Sequence, residues 1–89
     1  MDVEIYYSEL AQIDLHKAKC FFDLVNKGEE FLDDLFRQEN LIRLMLEMYQ
    51  IKYRGIRIVN LENFNYSIHY NCQNGQVFIY RIFPHGQDY

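Results

Sequence analysis

The pair Asn74-Gly75 constrains this chain more than any other feature of it. A two-residue hairpin turn of type I′ needs φ > 0 at both central positions, and Asn-Gly meets that need at little steric cost. The flanking runs, Tyr66 to Cys72 and Gln76 to Phe83, are rich in aromatic and β-branched residues, so the sequence predicts two antiparallel strands joined there. Pro84, the only proline, has no N–H for a ladder and ends the second strand, leaving a polar tail from His85 to Tyr89. With two residues in the turn, Cys72 is expected opposite Val77, Tyr70 opposite Ile79, Ile68 opposite Arg81 and Tyr66 opposite Phe83. That register gives one apolar face for a core. The other face then shows Ser67, His69, Asn71, Phe78, Tyr80 and Ile82. Arg81 falls on the core side near the strand end and must reach the rim to stay solvated.

The rest of the chain supplies the cover for that face. Val3 to Tyr7 reads as a short first strand, and Ser8 after it is a good helix N-cap. A helix from Glu9 carries Ala11, Leu15, Ala18, Phe22 and Val25 at spacings of four, three, four and three, with Leu10, Ile13, Phe21 and Leu24 widening the stripe. Asn26-Lys27-Gly28 supplies a cation for its last turn and a glycine expected to take the left-handed conformation just past its end. A second helix from about Glu29 has Glu29, Glu30, Asp33 and Asp34 at its positive end and keeps the helical period through Phe31, Leu35, Ile42, Leu46 and Tyr49. The short connection makes the two an antiparallel hairpin. After Gln50 the period falls to two; Gly55 precedes a strand from Ile56 to Leu61, which turns through Glu62-Asn63 into the terminal hairpin. The predicted order is β-α-α-β-β-β, an α+β domain with an antiparallel sheet and a helical hairpin packed on one face.

Residues 1–89 suffice for one domain, and a chain of this size buries only roughly 60 to 65% of the surface its unfolded form exposes. The 49% hydrophobic and 17% aromatic content excludes a disordered chain. Neither a signal-peptide pattern nor a run near the ~18 apolar residues of a membrane span is present, so a cytoplasmic protein without membrane contact is expected. Cys20 and Cys72 lack any ligand or CxxC spacing and are expected to be buried or half-buried free thiols. No His/Cys/Asp/Glu cluster has metal-ligand spacing and the glycines form no phosphate loop, so neither a metal nor a cofactor is expected. The net charge of −4 argues against a surface attracted as a whole to nucleic acid. Its distribution is uneven: residues 1–50 hold five Lys/Arg against eleven Asp/Glu, whereas residues 51–89 hold Lys52, Arg54, Arg57 and Arg81 against Glu62 and Asp88.

Taken together, the element order, the segment Phe31-Leu32-Asp33-Asp34-Leu35, the run from Tyr49 to Arg57, the strand Tyr66-Ser67-Ile68-His69-Tyr70 and the ending from Arg81 to Tyr89 resemble the RelE/ParE superfamily of type II toxin–antitoxin toxins over essentially the whole chain. The resemblance implies a small bacterial toxin that inhibits growth, belongs to a family associated with plasmid stabilization, and is neutralised by a cognate antitoxin wrapping it with a helix and extended segments. RelE-type members are ribosome-dependent endoribonucleases that cut mRNA by attack of a 2′-hydroxyl on the adjacent phosphate. ParE-type members block DNA gyrase.

RNA cleavage of that kind needs a general base, a general acid and cations for the phosphorane charge. By the resemblance, Arg81, His85 and Tyr89 are the catalytic candidates, with Arg54, Arg57 and His69 binding the substrate or target. His85 is suited to proton transfer near neutral pH and Tyr89 to stacking on a base. Each has a plainer role open to it: the arginines as solvated charges or, for Arg81, a cap on the core rim, and His85 and Tyr89 as exposed tail residues. The chain departs from the ribonuclease pattern at two places. Ser67 stands where the family usually has an Arg after the first Tyr of the penultimate strand, and Pro84-His85-Gly86-Gln87 replaces the usual tail. Those departures motivate a second reading, a catalytically degenerate scaffold that acts only as a protein-binding module.

Overall fold

The computed structural model describes residues 3–44, 51–53 and 55–84. The first strand, β1 (Ile5–Tyr7), leads into α1 (Glu9–Asp23) and α2 (Gly28–Leu44). Four strands follow: β2 (Ile51–Tyr53), β3 (Ile56–Asn60), β4 (Tyr66–Gln73) and β5 (Gln76–Pro84). The predicted α+β order is present, with β2 as a short additional strand. The sheet runs β1-β5-β4-β3-β2, antiparallel from β2 to β5, and β1 joins β5 in parallel.

Ser8 joins sheet and helix. Its hydroxyl accepts from Ala11 N–H at 3.0 Å as the N-cap of α1 and donates to the Tyr80 carbonyl at 2.7 Å, while its own N–H bonds the Ile79 carbonyl at 2.9 Å. At the other end of α1 the left-handed residue is Asn26, with φ 59°, and not Gly28 as the sequence suggested. Lys27 N–H then reaches the Phe22 carbonyl at 2.8 Å, the long bond of a helix-terminating turn, and Gly28 opens α2 instead. A Cβ at Gly28 would meet the Asp23 carboxylate, which pairs with Lys19 over this turn and would have to swing aside.

Phe31, Leu35 and Ile42 of α2 and Ala11 and Ala18 of α1 pack on Ile68, Tyr70, Val77, Ile79 and Ile82 of the hairpin. Phe22, Phe31, Phe64 and Tyr66 form an aromatic cluster, with ring centroids 4.8 Å apart for Phe22–Phe64 and 5.3 Å for Phe31–Tyr66, that ties both helices to the β3–β4 loop. The stripe on α1 is narrower than expected. Leu10, Ile13, Phe21, Leu24 and Val25 face solvent, because a single sheet layer covers only the side bearing Ala11, Leu15, Ala18 and Phe22. Cys20 lies on this outward side and is exposed, whereas Cys72 is half-buried.

The hairpin forms at Asn74 and Gly75, with φ of 54° and 75°. Its register is as expected as far as Tyr70 opposite Ile79, after which a bulge makes Tyr80 an extra residue. Beyond it His69 lies opposite Arg81, Ile68 opposite Ile82, Ser67 opposite Phe83 and Tyr66 opposite Pro84. The expected pairs Ile68–Arg81 and Tyr66–Phe83 are therefore corrected, as is the outward placement of Ile82. The cause is the apolar spacing: Val77 and Ile79 keep period two, but the next core residue is Ile82, and only an inserted residue brings it back to the helix side. Arg81 is thereby released from the core.

Asp34 fixes the β3–β4 loop. It is buried in α2, and its carboxylate accepts from Glu62 N–H at 3.2 Å and Asn63 N–H at 2.7 Å. Asp34→Ala leaves both loop donors without this acceptor, and we expect it to lower unfolding free energy by about 2–3 kcal/mol in urea titrations, with an unchanged denaturant slope.

Candidate functional site

Two regions carry the chemistry that the described residues offer. The first is a groove of about 720 Å³ against the terminal strand β1, walled by Ile5 and Tyr7, by Leu15 of α1 and by Leu32 and Phe36 of α2, with Gln12, His16 and Lys19 supplying polar groups. The groove follows from the fold: β1 has a sheet neighbour on one side only, and the helical hairpin leaves part of its apolar surface beside that strand. Tyr7 links strand to helix, its hydroxyl donating to the buried carboxylate of Glu39. Burial raises the Glu39 carboxyl above its ordinary value, opposed by the Tyr7 hydrogen bond and the Arg43 charge. Burial and the Glu39 charge likewise push the Tyr7 hydroxyl upward, so it stays a donor. Arg43 adds a second tie, donating to the Val3 carbonyl at 3.3 Å.

The second region is the outer half of the hairpin, where Arg81 and His69 meet across the bulge. Arg81 reaches the sheet rim and meets Asp14 of α1, with Nε at 2.7 Å and a terminal nitrogen at 3.1 Å. The same carboxylate accepts Ile82 N–H at 3.0 Å. The Arg81 guanidinium also lies 5.1 Å from the centroid of the Phe83 ring. His69 stacks on that ring at 4.5 Å and 19°. The expectation of an open face around His69 is corrected: the imidazole is fully buried, although Tyr80 on the neighbouring strand is 49% exposed. Burial, and secondarily the Arg81 charge, lower its pKa to about 4 against an opposing pull from Asp14.

Arg57 is half-buried opposite Tyr70, and strand alternation turns it to the other face from His69. The structure therefore unites Arg81 with His69 and separates Arg57 from them. Arg54, His85 and Tyr89 lie outside the described residues. Ser67 is buried and donates to Asn60 Oδ1 at 2.7 Å. Sequence reasoning missed Asp14 and Glu39. Both sit among many helix acids, and the one available signal for Asp14 was an arginine in a strand that needed a counter-charge.

No group of three or more His, Cys, Asp or Glu suited to hold a metal ion occurs among the described residues.

Two measurements test these roles. Arg81→Ala should destabilise the fold by about 1–2 kcal/mol in urea unfolding, since the part-buried Asp14 loses its counter-charge, and Arg81→Lys should recover only part because it lacks the forked geometry. His69 has a folded pKa below its ordinary 6.5, so its contribution to stability is complete above pH 6.5 and is lost as pH falls toward 4. Unfolding free energy should drop over that window by on the order of 2 kcal/mol more in the wild type than in His69→Gln.

No family model and no curated protein sequence matches the chain. Among solved structures it is similar to a chain of the chromosomal ParDE TA system from P. aeruginosa, with a TM-score of 0.79 and 16% sequence identity over 93% of this chain and 96% of that one. At that identity the likeness is one of architecture, and on it the chain has the RelE/ParE-like fold.

Proposed function

We propose that this chain is the toxin of a type II toxin–antitoxin pair, held inactive by a cognate antitoxin seated in the groove beside β1, and that it inhibits growth by blocking DNA gyrase. The observation that supports a toxin is the whole-length likeness to a chain of the ParDE system. The groove supports a protein partner: it is apolar, about 720 Å³ in volume, and offers both a strand edge and a helical-hairpin surface, which suit an extended or helical peptide. The reading places the protein in the cytoplasm, beside its target. No helix among the described residues is long and apolar enough to cross a membrane.

The choice of gyrase over mRNA rests on how Arg81 and His69 are used. A cleaving enzyme needs a cation that can turn to the phosphorane and a base that accepts a proton near pH 7. Arg81 is committed to Asp14 through two nitrogens, and His69 is buried with a pKa lowered to about 4. Ser67 offers no charge where the ribonucleases carry an arginine. Cleavage would have to rely on Arg54, Arg57, His85 and Tyr89.

Induction of the chain alone should stop growth, and purified protein should inhibit gyrase supercoiling while leaving mRNA intact in a translation extract. Ribosome-dependent cleavage that disappears in His85→Ala would instead establish the ribonuclease. Absence of any growth defect from soluble protein would favour the degenerate binding scaffold. Phe36→Ala, in the groove and 47% exposed, should leave toxicity in place and weaken antitoxin binding by roughly 10-fold, or about 1.4 kcal/mol.

A further inference from the structure

The edge of the sheet at β1 is occupied by the protein's own side chains. Val77 N–H donates to the Glu4 carbonyl at 3.0 Å and Ser8 N–H to the Ile79 carbonyl at 2.9 Å, so the even-numbered residues of this stretch turn their backbone groups toward β5. Alternation along the strand then turns the N–H and C=O groups of Val3, Ile5 and Tyr7 the other way, where no second strand lies beside β1 among the described residues. Two of these outward carbonyls nevertheless receive donors. Gln12 Nε2 of α1 donates to the Tyr7 carbonyl at 3.3 Å, and Arg43 Nε of α2 donates to the Val3 carbonyl at 3.3 Å. A terminal nitrogen of Arg43 also donates to Asn40 Oδ1 at 2.7 Å, which steers the guanidinium.

A bare row of N–H and C=O groups on an edge strand is a template for any extended chain that meets it, and folded proteins blunt such edges. Here the two donors sit at the two ends of the outward row, with Ile5 between them. Strand pairing needs several outward groups in succession, so a chain arriving anywhere along this row meets one donor or both. The two side chains come from different helices and are both exposed, so burial does not hold either of them in place. At 3.3 Å both bonds are long for N–H···O contacts, and better-placed backbone donors would displace them.

We propose that Gln12 and Arg43 are displaceable caps on the outward carbonyls of β1, an autoinhibitory contact that keeps this edge from pairing with extended chains. The caps raise the cost of strand addition without closing the edge for good, since each swings away on its own side chain and leaves the ladder between β1 and β5 intact. Without them the outward row is complete, and edge-to-edge pairing of β1 is the simplest association open to the chain. The inference rests on the sheet edge and is independent of the toxin reading.

Light scattering and amide hydrogen exchange by NMR on the whole chain test it. The wild type should keep the mass of one chain as its concentration rises, with the Ile5 and Tyr7 amides exchanging rapidly and the Ser8 amide, bonded to β5, protected. Gln12→Ala combined with Arg43→Ala should fold by circular dichroism, both positions being exposed, yet at least double in mass with rising concentration while the Ile5 and Tyr7 amides become protected. Each single variant should show a smaller rise in mass. A double variant that stays as monomeric as the wild type would overturn the proposal. So would association that leaves the Ile5 and Tyr7 amides exchanging freely, because it would run through another surface, or a wild type that already protects them by self-association.

Discussion

One carboxylate, that of Asp14, holds the point where the helical layer, the end of β5 and the bulge come together. It takes the Ile82 N–H and the Arg81 guanidinium at once. The N–H at Ile82 lies past the last paired residue of β1, so it has no strand to donate to, and Asp14 stands in for the missing neighbour. The guanidinium lies at the rim because the bulge has turned Ile82 into the core in its place. Placing Arg81 there puts a fixed positive charge beside His69, which reinforces the effect of burial in keeping the imidazole neutral. The charge state of the hairpin's outer half thus depends on a residue of the first helix.

Across the molecule, acids placed on helices do structural work at the sheet. Asp34 holds the β3–β4 loop, Glu39 receives the Tyr7 hydroxyl, and Asp14 secures β5. The acidic first half of the chain is therefore only partly a solvated surface. Its buried members use their charge internally, where a carboxylate accepting backbone N–H groups is worth more than an exposed ion pair. This leaves the groove beside β1 with an apolar wall whose polar groups come from Gln12, His16 and Lys19.

Much of the architecture could be read from residues alone, for local reasons. Asn74-Gly75 specifies its turn through backbone conformation, and the stripes of Phe31, Leu35 and Ile42 or of Ala11 and Ala18 mark helix faces by spacing. The bulge escaped because a turn sets register only near itself, and period-two counting carries that register forward past any inserted residue. Ile82, apolar in the wrong phase, was the signal for it. The burial of His69 was equally hidden, since alternation says which face a residue occupies and not whether that face is covered. Solvent exposure of Leu10, Ile13, Phe21 and Leu24 depended on how much of α1 the sheet could reach, which a helical period does not contain. Of the candidate site, sequence located Arg81 and His69 on one hairpin but not the carboxylate that engages the arginine.

The parallel pairing of β1 with β5 has a further consequence, for the order in which the fold assembles. The β4–β5 hairpin closes over two residues, and such local contacts form on the microsecond scale. Ile5 opposite Val77 closes a loop spanning most of the sequence and joins the first strand to the last. Contacts so distant along the chain slow folding, because the entropy of closure is lost before the ladder bonds compensate. Until β1 arrives, β5 presents an uncovered edge and the wall of the groove does not exist. The groove beside β1 is therefore expected to be among the last parts of the molecule to form, with the docking of β1 setting when it appears.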